Sequence, residues 1–293
     1  MDKYINQAKT LMEALPYIKK FNNKIIVIKY GGSAMIDEQL KMSVIKDITL
    51  MKLVGIKPVV VHGGGKKINE MLSKIGKESV FIDGLRVTDD DTMEIAEMVL
   101  SGNINKSIVQ MFQQQGIKAV GISGKDGMTI QAEKNMPGGK DIGWVGEIKQ
   151  VNPELIISLI EDDFVPVVAP IATDKNNHTY NINADYVASA VASSLKAEKL
   201  IYLTDVEGVL RDINDLDTLI SRINVNDIES MKEEKTITGG MIPKLDNCRK
   251  SIEDGVNSVH ILDGRQDHCL LLELFTNSGI GTMIYKTEDQ DGK

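Results

Sequence analysis

Two glycine clusters, Gly31-Gly32 and Gly63-Gly64-Gly65, each follow an apolar run of strand length and precede a helical stretch. Glycine loops in that position aim unpaired N–H groups from the positive end of a helix dipole, an arrangement suited to a phosphate or a carboxylate. One such loop is weak evidence, because a tight strand-to-helix turn needs glycine in any case. Two loops from successive units fall on the C-terminal edge of one sheet, where open α/β sheets bind ligands. Lys29 ends the first of these strands, a place where a lysine wants an anion, the plainer alternative being a stem that snorkels past the sheet edge. Arg86, within Gly84-Leu85-Arg86-Val87-Thr88, carries a fork that can grip a carboxylate, although a single arginine between two elements is commonly just a surface residue.

Further along, Asn181, Asn183 and Asp185 (NINAD) open a helix, and capping accounts for one of the three. Thr238 to Lys244 (TGGMIPK) combines a glycine pair, a helix start with Pro243 in its first turn, and a lysine able to point back over a cleft; a plain surface helix entry is the alternative. A P-loop is excluded, because Gly65-Lys66 precedes Lys67 and Gly124-Lys125 precedes Asp126, where Ser or Thr is required. A dinucleotide fingerprint starting at Gly63 fails at Ile68, which argues against a hydride-transfer enzyme. His62, His178, His260 and His268 show no metal-ligand spacing and read as structural, and Cys248 and Cys269 read as buried thiols.

The elements that must position these residues alternate as strand, loop and helix. Ile5, Ala8, Leu11, Met12, Leu15 and Ile18 predict a leading helix over 3–20 that packs on the body or on another subunit, with Pro16 loosening its last turn. Strands follow at 24–30 and 58–61, each ending at a glycine cluster, with helices carrying Met42, Ile45, Ile48 and Met51, then Ile68, Met71, Leu72 and Ile75. A helix capped by Thr88, with Asp91 three residues on, precedes a second helix over 103–115 and a strand over 117–122. Residues 124–147 suit hairpins or a lid. Asn152 reads as an N-cap with Pro153 at the first helical position. A strand spans 164–171, and the polar connector 174–178 places a domain boundary near it. Helices at 184–195, 241–253 and 269–275 then alternate with strands at 200–203, 258–262 and 281–285, with a loop at 212–221. The pattern is a β/α architecture.

Composition bounds the function. The chain has 293 residues, and 34 Lys and Arg against 42 Asp and Glu give a net charge of −8, which repels a nucleic-acid backbone. An anionic substrate must then be held by local cations and helix starts. With polar residues at the N-terminus and no apolar run of membrane-spanning length, the expectation is a cytoplasmic protein without a membrane partner.

Six ordered motifs, IVIKYGGSAM, VVVHGGG, GLRVTD, NINADYVASAVA, LTDVEGVL and GGMIPK, resemble the amino-acid kinase family over about residues 1–285. The resemblance implies an open αβα sandwich with a mainly parallel central sheet: an N-terminal helix for oligomerisation over 1–22, an acetylglutamate-binding half over 23–178, and a nucleotide-binding half with a regulatory region over 179–293. It implies that ATP, with Mg²⁺, phosphorylates the side-chain carboxylate of N-acetyl-L-glutamate in arginine biosynthesis. By matching motifs, Lys29 and Lys244 would stabilise the transferring phosphoryl group and Asp185 would hold both ammonium groups. Gly64, Gly65, Arg86 and Asn181 would bind the acetylated amino acid. Gly31, Gly32, Thr204, Asp205, Gly208, Gly240 and Met241 would meet the nucleotide, and no resident metal is implied. Pro243 departs from many relatives without removing Lys244.

ALPYIKKF, VHILDGR and LLLELFTNSGIGTMI are similar to the subset of the family that forms hexamers, as trimers of dimers, and is inhibited by arginine. This implies an arginine site near Tyr17, His260, Glu273 and Gly279. The alternatives are a kinase of a related acidic substrate such as acetylaminoadipate, or an inactive arginine-sensing regulator on the same fold. The regulator predicts a missing core charge, yet Lys29, Asp185 and Lys244 all stand.

Overall fold

Long β-branched runs make strands here because their stiff side chains pack well on a pleated surface covered on both faces. The computed structural model describes residues 1–35, 37–212, 214–277 and 279–287, and gives the backbone alone at 2, 3, 6 and 7. The first half of the chain runs α1 (Asp2–Phe21), β1 (Ile25–Tyr30), α2 (Glu38–Leu53), β2 (Lys57–His62), α3 (Gly65–Lys74), β3 (Phe81–Ile82), β4 (Leu85–Arg86), α4 (Asp90–Glu97), α5 (Asn105–Gln114), β5 (Ala119–Ser123), β6 (Ile130–Lys134) and β7 (Gly146–Val151). It continues through α6 (Glu154–Glu161), β8 (Val165–Ala169), β9 (Ile171–Thr173), β10 (Thr179–Asn181), α7 (Ala184–Ser194), β11 (Lys199–Thr204), β12 (Arg222–Asn224), α8 (Ile228–Glu233), α9 (Met241–Glu253), β13 (Ser258–Asp263), α10 (Cys269–Phe275) and β14 (Thr282–Tyr285). The main sheet has the hydrogen-bonding order β12-β14-β13-β11-β1-β2-β8-β5. It is mainly parallel, as expected from the alternation of strands and helices.

One compact unit comprises 27–31 and 59–195. In it β8 pairs in parallel with β2 and β5, and Val59, Val60, Val61, Val165, Val167 and Val168 are buried. A second sheet in the order β10-β9-β6-β7 includes the antiparallel pair β6–β7, so the expected hairpin within 124–147 forms. The other unit comprises 1–26, 32–58 and 196–293. There β11 and β13 run parallel, β14 runs antiparallel to β13, and Leu200, Ile201, Leu203, Val259, Ile261 and Leu262 are buried.

Five expectations are corrected. The boundary expected at 174–178 falls after Leu195, because 174–178 is only the turn joining β9 to β10. The cap of α4 is Asp89, whose carboxylate accepts from Thr92 N at 3.0 Å, while Thr88 is fully buried and its hydroxyl donates to Arg86 O. Helices α4 and α5 are joined by a π-helical stretch, Met98–Ile104, in place of a break near 103. Pro153 itself takes the cap position of α6, with Asn152 accepting from Glu154 N at 3.2 Å. Helix α1 runs unbroken past Pro16, and its residues Tyr4, Ile5, Leu11 and Met12 remain exposed. Ser278 and the last six residues, which belong to the expected regulatory region, lie outside the described residues.

Candidate active site

The unit containing β2 brings the first glycine cluster beside the second: Gly63 N donates to Tyr30 O at 2.8 Å. Gly64 caps α3, and a Cβ there would sit 2.5 Å from Ile104 Cδ1 and 2.6 Å from Leu100 Cδ2, both on the π-helical stretch. A side chain at 64 would have to displace the ends of those two side chains, so the π-helical stretch packs closely against the glycine loop. His62, fully buried ahead of the loop, is held neutral, its pKa pushed down to about 4 by burial. Its Nδ1–H donates to Gly63 O at 2.8 Å, which leaves Nε2 to accept from Asn105 Nδ2 at 3.2 Å. These two bonds tie the end of β2 and its glycine loop to α5.

The NINAD cluster divides its labour. Asn183 is the cap, accepting from Asp185 N at 2.8 Å. Asp185 turns to Lys29, with 2.9 Å between Lys29 Nζ and a carboxylate oxygen. Asn181 donates through Nδ2 to Thr88 Oγ1 at 3.3 Å. A Cβ on Gly31 would fall 2.5 Å from Lys29 Nζ, so the glycine lets this lysine fold back along its own loop.

Arg86 is the most telling side chain. It is only 8% exposed, and burial pushes its pKa down. Its Nη1 donates to Asn69 Oδ1 and Ser79 Oγ, each at 2.6 Å, Nη2 donates to Gly65 O at 3.1 Å, and the guanidinium lies 4.7 Å from the Phe81 ring centre. These acceptors are neutral. No carboxylate among the described residues lies within ion-pair reach of this guanidinium, although a buried cation without a counter-charge costs several kcal/mol. Of five N–H donors, three are used, leaving Nε–H and one Nη2–H, enough donors for a carboxylate. Asn69 and Ser79 were not foreseen, since nothing in their local sequence distinguishes them from surface residues.

In the other unit, Gly32 adopts φ +68°, and a Cβ there would lie 2.5 Å from Asp205 Oδ1. The same oxygen accepts from Ser33 N at 2.6 Å, so Asp205 is tied to the glycine loop. Thr204 uses its hydroxyl on Val206 O and Leu262 O, which makes it a clamp at the end of β11. Gly208 packs against Thr282 and Leu219, and Gly240 caps α9, whose first turn contains Met241 and Lys244.

The residues named for the arginine site also come together within this unit. His260 Nδ1 donates to Glu273 Oε1 at 2.6 Å, and Glu273 Oε2 accepts from Ile280 N at 2.7 Å. Gly279, at φ +60°, would place a Cβ 2.8 Å from Glu273 Oε2, and the Tyr17 hydroxyl donates to Asn277. Lys199, missed in the sequence because it reads as the start of a buried strand, donates to His260 Nε2 at 2.7 Å, and burial pushes its pKa down to about 8. Burial likewise pushes the His260 pKa down; for Glu273 burial is the largest single influence and acts upward, but the hydrogen bond and charge of His260 together with the amides of Ile280 and Gly281 outweigh it and hold the carboxylate below its usual range.

The sequence pattern of the amino acid kinase family matches residues 24–263. An acetylglutamate kinase of Thermoanaerobacter pseudethanolicus is 55% identical over 282 residues, covering 96% of this chain and 94% of that protein. N-acetylglutamate synthase of Neisseria gonorrhoeae, in a structure with coenzyme A and N-acetyl-glutamate, superposes with TM-score 0.84 at 25% identity, over 96% of this chain. The same synthase with coenzyme A and L-arginine gives 0.80, also at 25% identity, over 95% of this chain. This chain spans 64% and 65% of the synthase's length in the two structures. Two glycine loops at neighbouring strand ends, a lysine paired to the aspartate of NINAD, and a family pattern spanning most of the sequence lead to one assignment: the chain belongs to the amino acid kinase family.

Proposed function

We propose that the protein transfers the γ-phosphoryl group of ATP to the side-chain carboxylate of N-acetyl-L-glutamate, giving an acyl phosphate for arginine biosynthesis. The observation that carries this reading is the buried Arg86, which has no carboxylate partner among the described residues and two N–H donors left, in the same unit as the Lys29–Asp185 pair. Arg86 takes the α-carboxylate, while Gly64, Gly65 and Asn181 hold the rest of the acetylated amino acid. A carboxylate oxygen attacks the γ-phosphorus, a new P–O bond forms, the bond to the β-phosphate oxygen breaks, and ADP leaves. The nucleophile is already ionised at neutral pH, so no general base is required. Lys29 offsets charge on the moving phosphoryl oxygens, held by Asp185, and Lys244 is assigned the same task on the strength of its motif. Gly31, Gly32, Asp205, Gly208, Gly240 and Met241 are assigned to the nucleotide. Mg²⁺ would be held chiefly by the phosphates of ATP and by water, and would supply charge neutralisation there. The 55% identity to an acetylglutamate kinase supports the substrate.

The cluster of Lys199, His260, Glu273 and Gly279 supports feedback inhibition by arginine, whose guanidinium and carboxylate match Glu273 and Lys199 respectively. The exposed apolar face of α1 supports assembly through that helix into a hexamer. The test of the reaction is coupled ADP release with Mg-ATP, offering N-acetyl-L-glutamate, N-acetyl-L-aminoadipate and free glutamate separately, each with and without arginine. Turnover of the first alone, lowered by arginine, is expected. Turnover of another substrate in its place overturns the reading.

A further inference from the structure

Arg86 and Asn181 lie 95 positions apart in the sequence, and the structure joins them through a path that neither motif announces. Thr88 is fully buried, and every polar group it owns is engaged. Its hydroxyl donates to Arg86 O at 2.7 Å and accepts from Asn181 Nδ2 at 3.3 Å. Its amide donates to Ile142 O at 2.9 Å, and its carbonyl accepts from Trp144 N at 2.6 Å. The carbonyl of Trp144 then accepts from Asn181 N at 2.8 Å. Residues 142–145 therefore form a strap stitched on one side to the Arg86–Thr88 segment and on the other to the end of β10. The fit is tight: Gly143 sits at φ +80°, and a Cβ there would fall 2.0 Å from Thr88 O. Trp144 fixes the strap by donating from Nε1 to Asp90 Oδ1 at 2.5 Å and by stacking on His178, with ring centres 5.3 Å apart.

We propose that Thr88, with the strap 142–145, is a positioning element that sets the separation of Arg86 and Asn181, and thereby governs binding of the N-acylated acidic amino acid but not of ATP. The inference rests on the substrate reading above. A side chain that only filled the core would be replaced by valine at little cost, because Val has the shape of Thr. A side chain that holds the Arg86 carbonyl and the Asn181 amide in register cannot lose its hydroxyl without loosening both. Trp144 is the sole tryptophan, so its emission reports the strap directly and without turnover.

The experiment measures KM for N-acetyl-L-glutamate and for ATP separately in the wild type, T88V and T88S, alongside equilibrium titration of tryptophan emission with N-acetyl-L-glutamate alone. For T88V we expect a KM for N-acetyl-L-glutamate raised about tenfold, a KM for ATP within about twofold of wild type, and an emission midpoint shifted in step with the first. T88S, which keeps the hydroxyl, restores both to within about twofold. If T88V leaves the acidic-substrate KM unchanged, raises both KM values alike, or is not rescued by serine, the inference is overturned. Should T88V fail to fold, W144F keeps the backbone stitching but removes the bond to Asp90, and the same selective rise in KM decides the matter. Absence of wild-type turnover with N-acetyl-L-glutamate overturns the substrate reading and this inference together. With wild-type turnover present, the T88V result bears on the inference alone.

Discussion

Replacing Arg86 by methionine separates a binding role from a structural one. The guanidinium is buried among neutral acceptors, so its removal relieves a desolvation cost while losing the bonds to Asn69, Ser79 and Gly65. Asn69 and Gly65 are exposed and can be hydrated once the cation is gone. The two effects oppose each other, and the ligand-free protein should change by no more than about 1.5 kcal/mol, or roughly 5 °C in melting temperature for a chain of this size. Substrate binding should respond differently. The donors that remain for a ligand are Nε–H and one Nη2–H, each forming a charge-assisted bond of at least about 1.5 kcal/mol. Their loss comes to about 3 kcal/mol, which is roughly a hundredfold in affinity. Calorimetric titration with N-acetyl-L-glutamate measures this, and thermal melts with and without the ligand provide a second readout. Wild type at a hundredfold excess over Kd gains about 2.7 kcal/mol of stability, a gain that R86M should lose. The reasoning is refuted if R86M binds within threefold of wild type, or if its ligand-free melt collapses, since the arginine would then be structural.

Three other perturbations test separate parts of the molecule. K29A and K244A should each lower kcat by about a hundredfold or more, measured as ADP release at saturating substrates, and near-normal rates in either would remove that lysine from the mechanism. E273Q should abolish arginine binding, measured by calorimetry, while leaving uninhibited turnover within about twofold, because Glu273 lies in the unit with His260 and Lys199 and outside the set assigned to chemistry. Asp47, buried on α2, is raised to about 6 by burial, against the opposing effect of its hydrogen bond with His268 at 2.6 Å; that bond raises the histidine. Both groups bind protons more readily folded than unfolded, so stability is greatest at low pH in this window and falls as pH rises from about 4 towards 7. Urea melts across that range should show this slope in wild type and a flatter one in D47N, and equal slopes would contradict the assignment.

How far the sequence carried the reading depends on the kind of question. Strand and helix identities were legible wherever an apolar run or a helical stripe set the burial, as at β1, β2, α7 and α9. Boundaries were less so, because they depend on partners distant in sequence. Thr88 has the chemistry of a helix cap, but its hydroxyl faces the Arg86 carbonyl and the Asn181 amide, and the cap falls to Asp89. The polar run 174–178 has the composition of a linker, yet Asp174 gathers His178 and Tyr180 into a hairpin turn. The break expected before residue 103 is absent because the helix absorbs Gly102 in a π-helical stretch, and that stretch is what presses Leu100 and Ile104 onto Gly64.

The candidate site shows the same limit more sharply. Residue types and order gave Lys29, Arg86, Asn181 and Asp185 as a set, and the fold does place all four in one unit. Which member does what could not be read from spacing, because Asn181, Asn183 and Asp185 are all good caps and alternate residues in that stretch are chemically alike. Only the partners separate them: the helix amide claims Asn183, the ammonium of Lys29 claims Asp185, and the buried Thr88 hydroxyl claims Asn181. The same logic explains why Asn69 and Ser79 escaped notice. A neutral acceptor becomes informative only when a buried cation is seen to lean on it, and Arg86 leans on neutral groups alone. Leaving a buried cation without a charged partner costs free energy, and in the proposed reaction the substrate's α-carboxylate is what supplies that partner to Arg86.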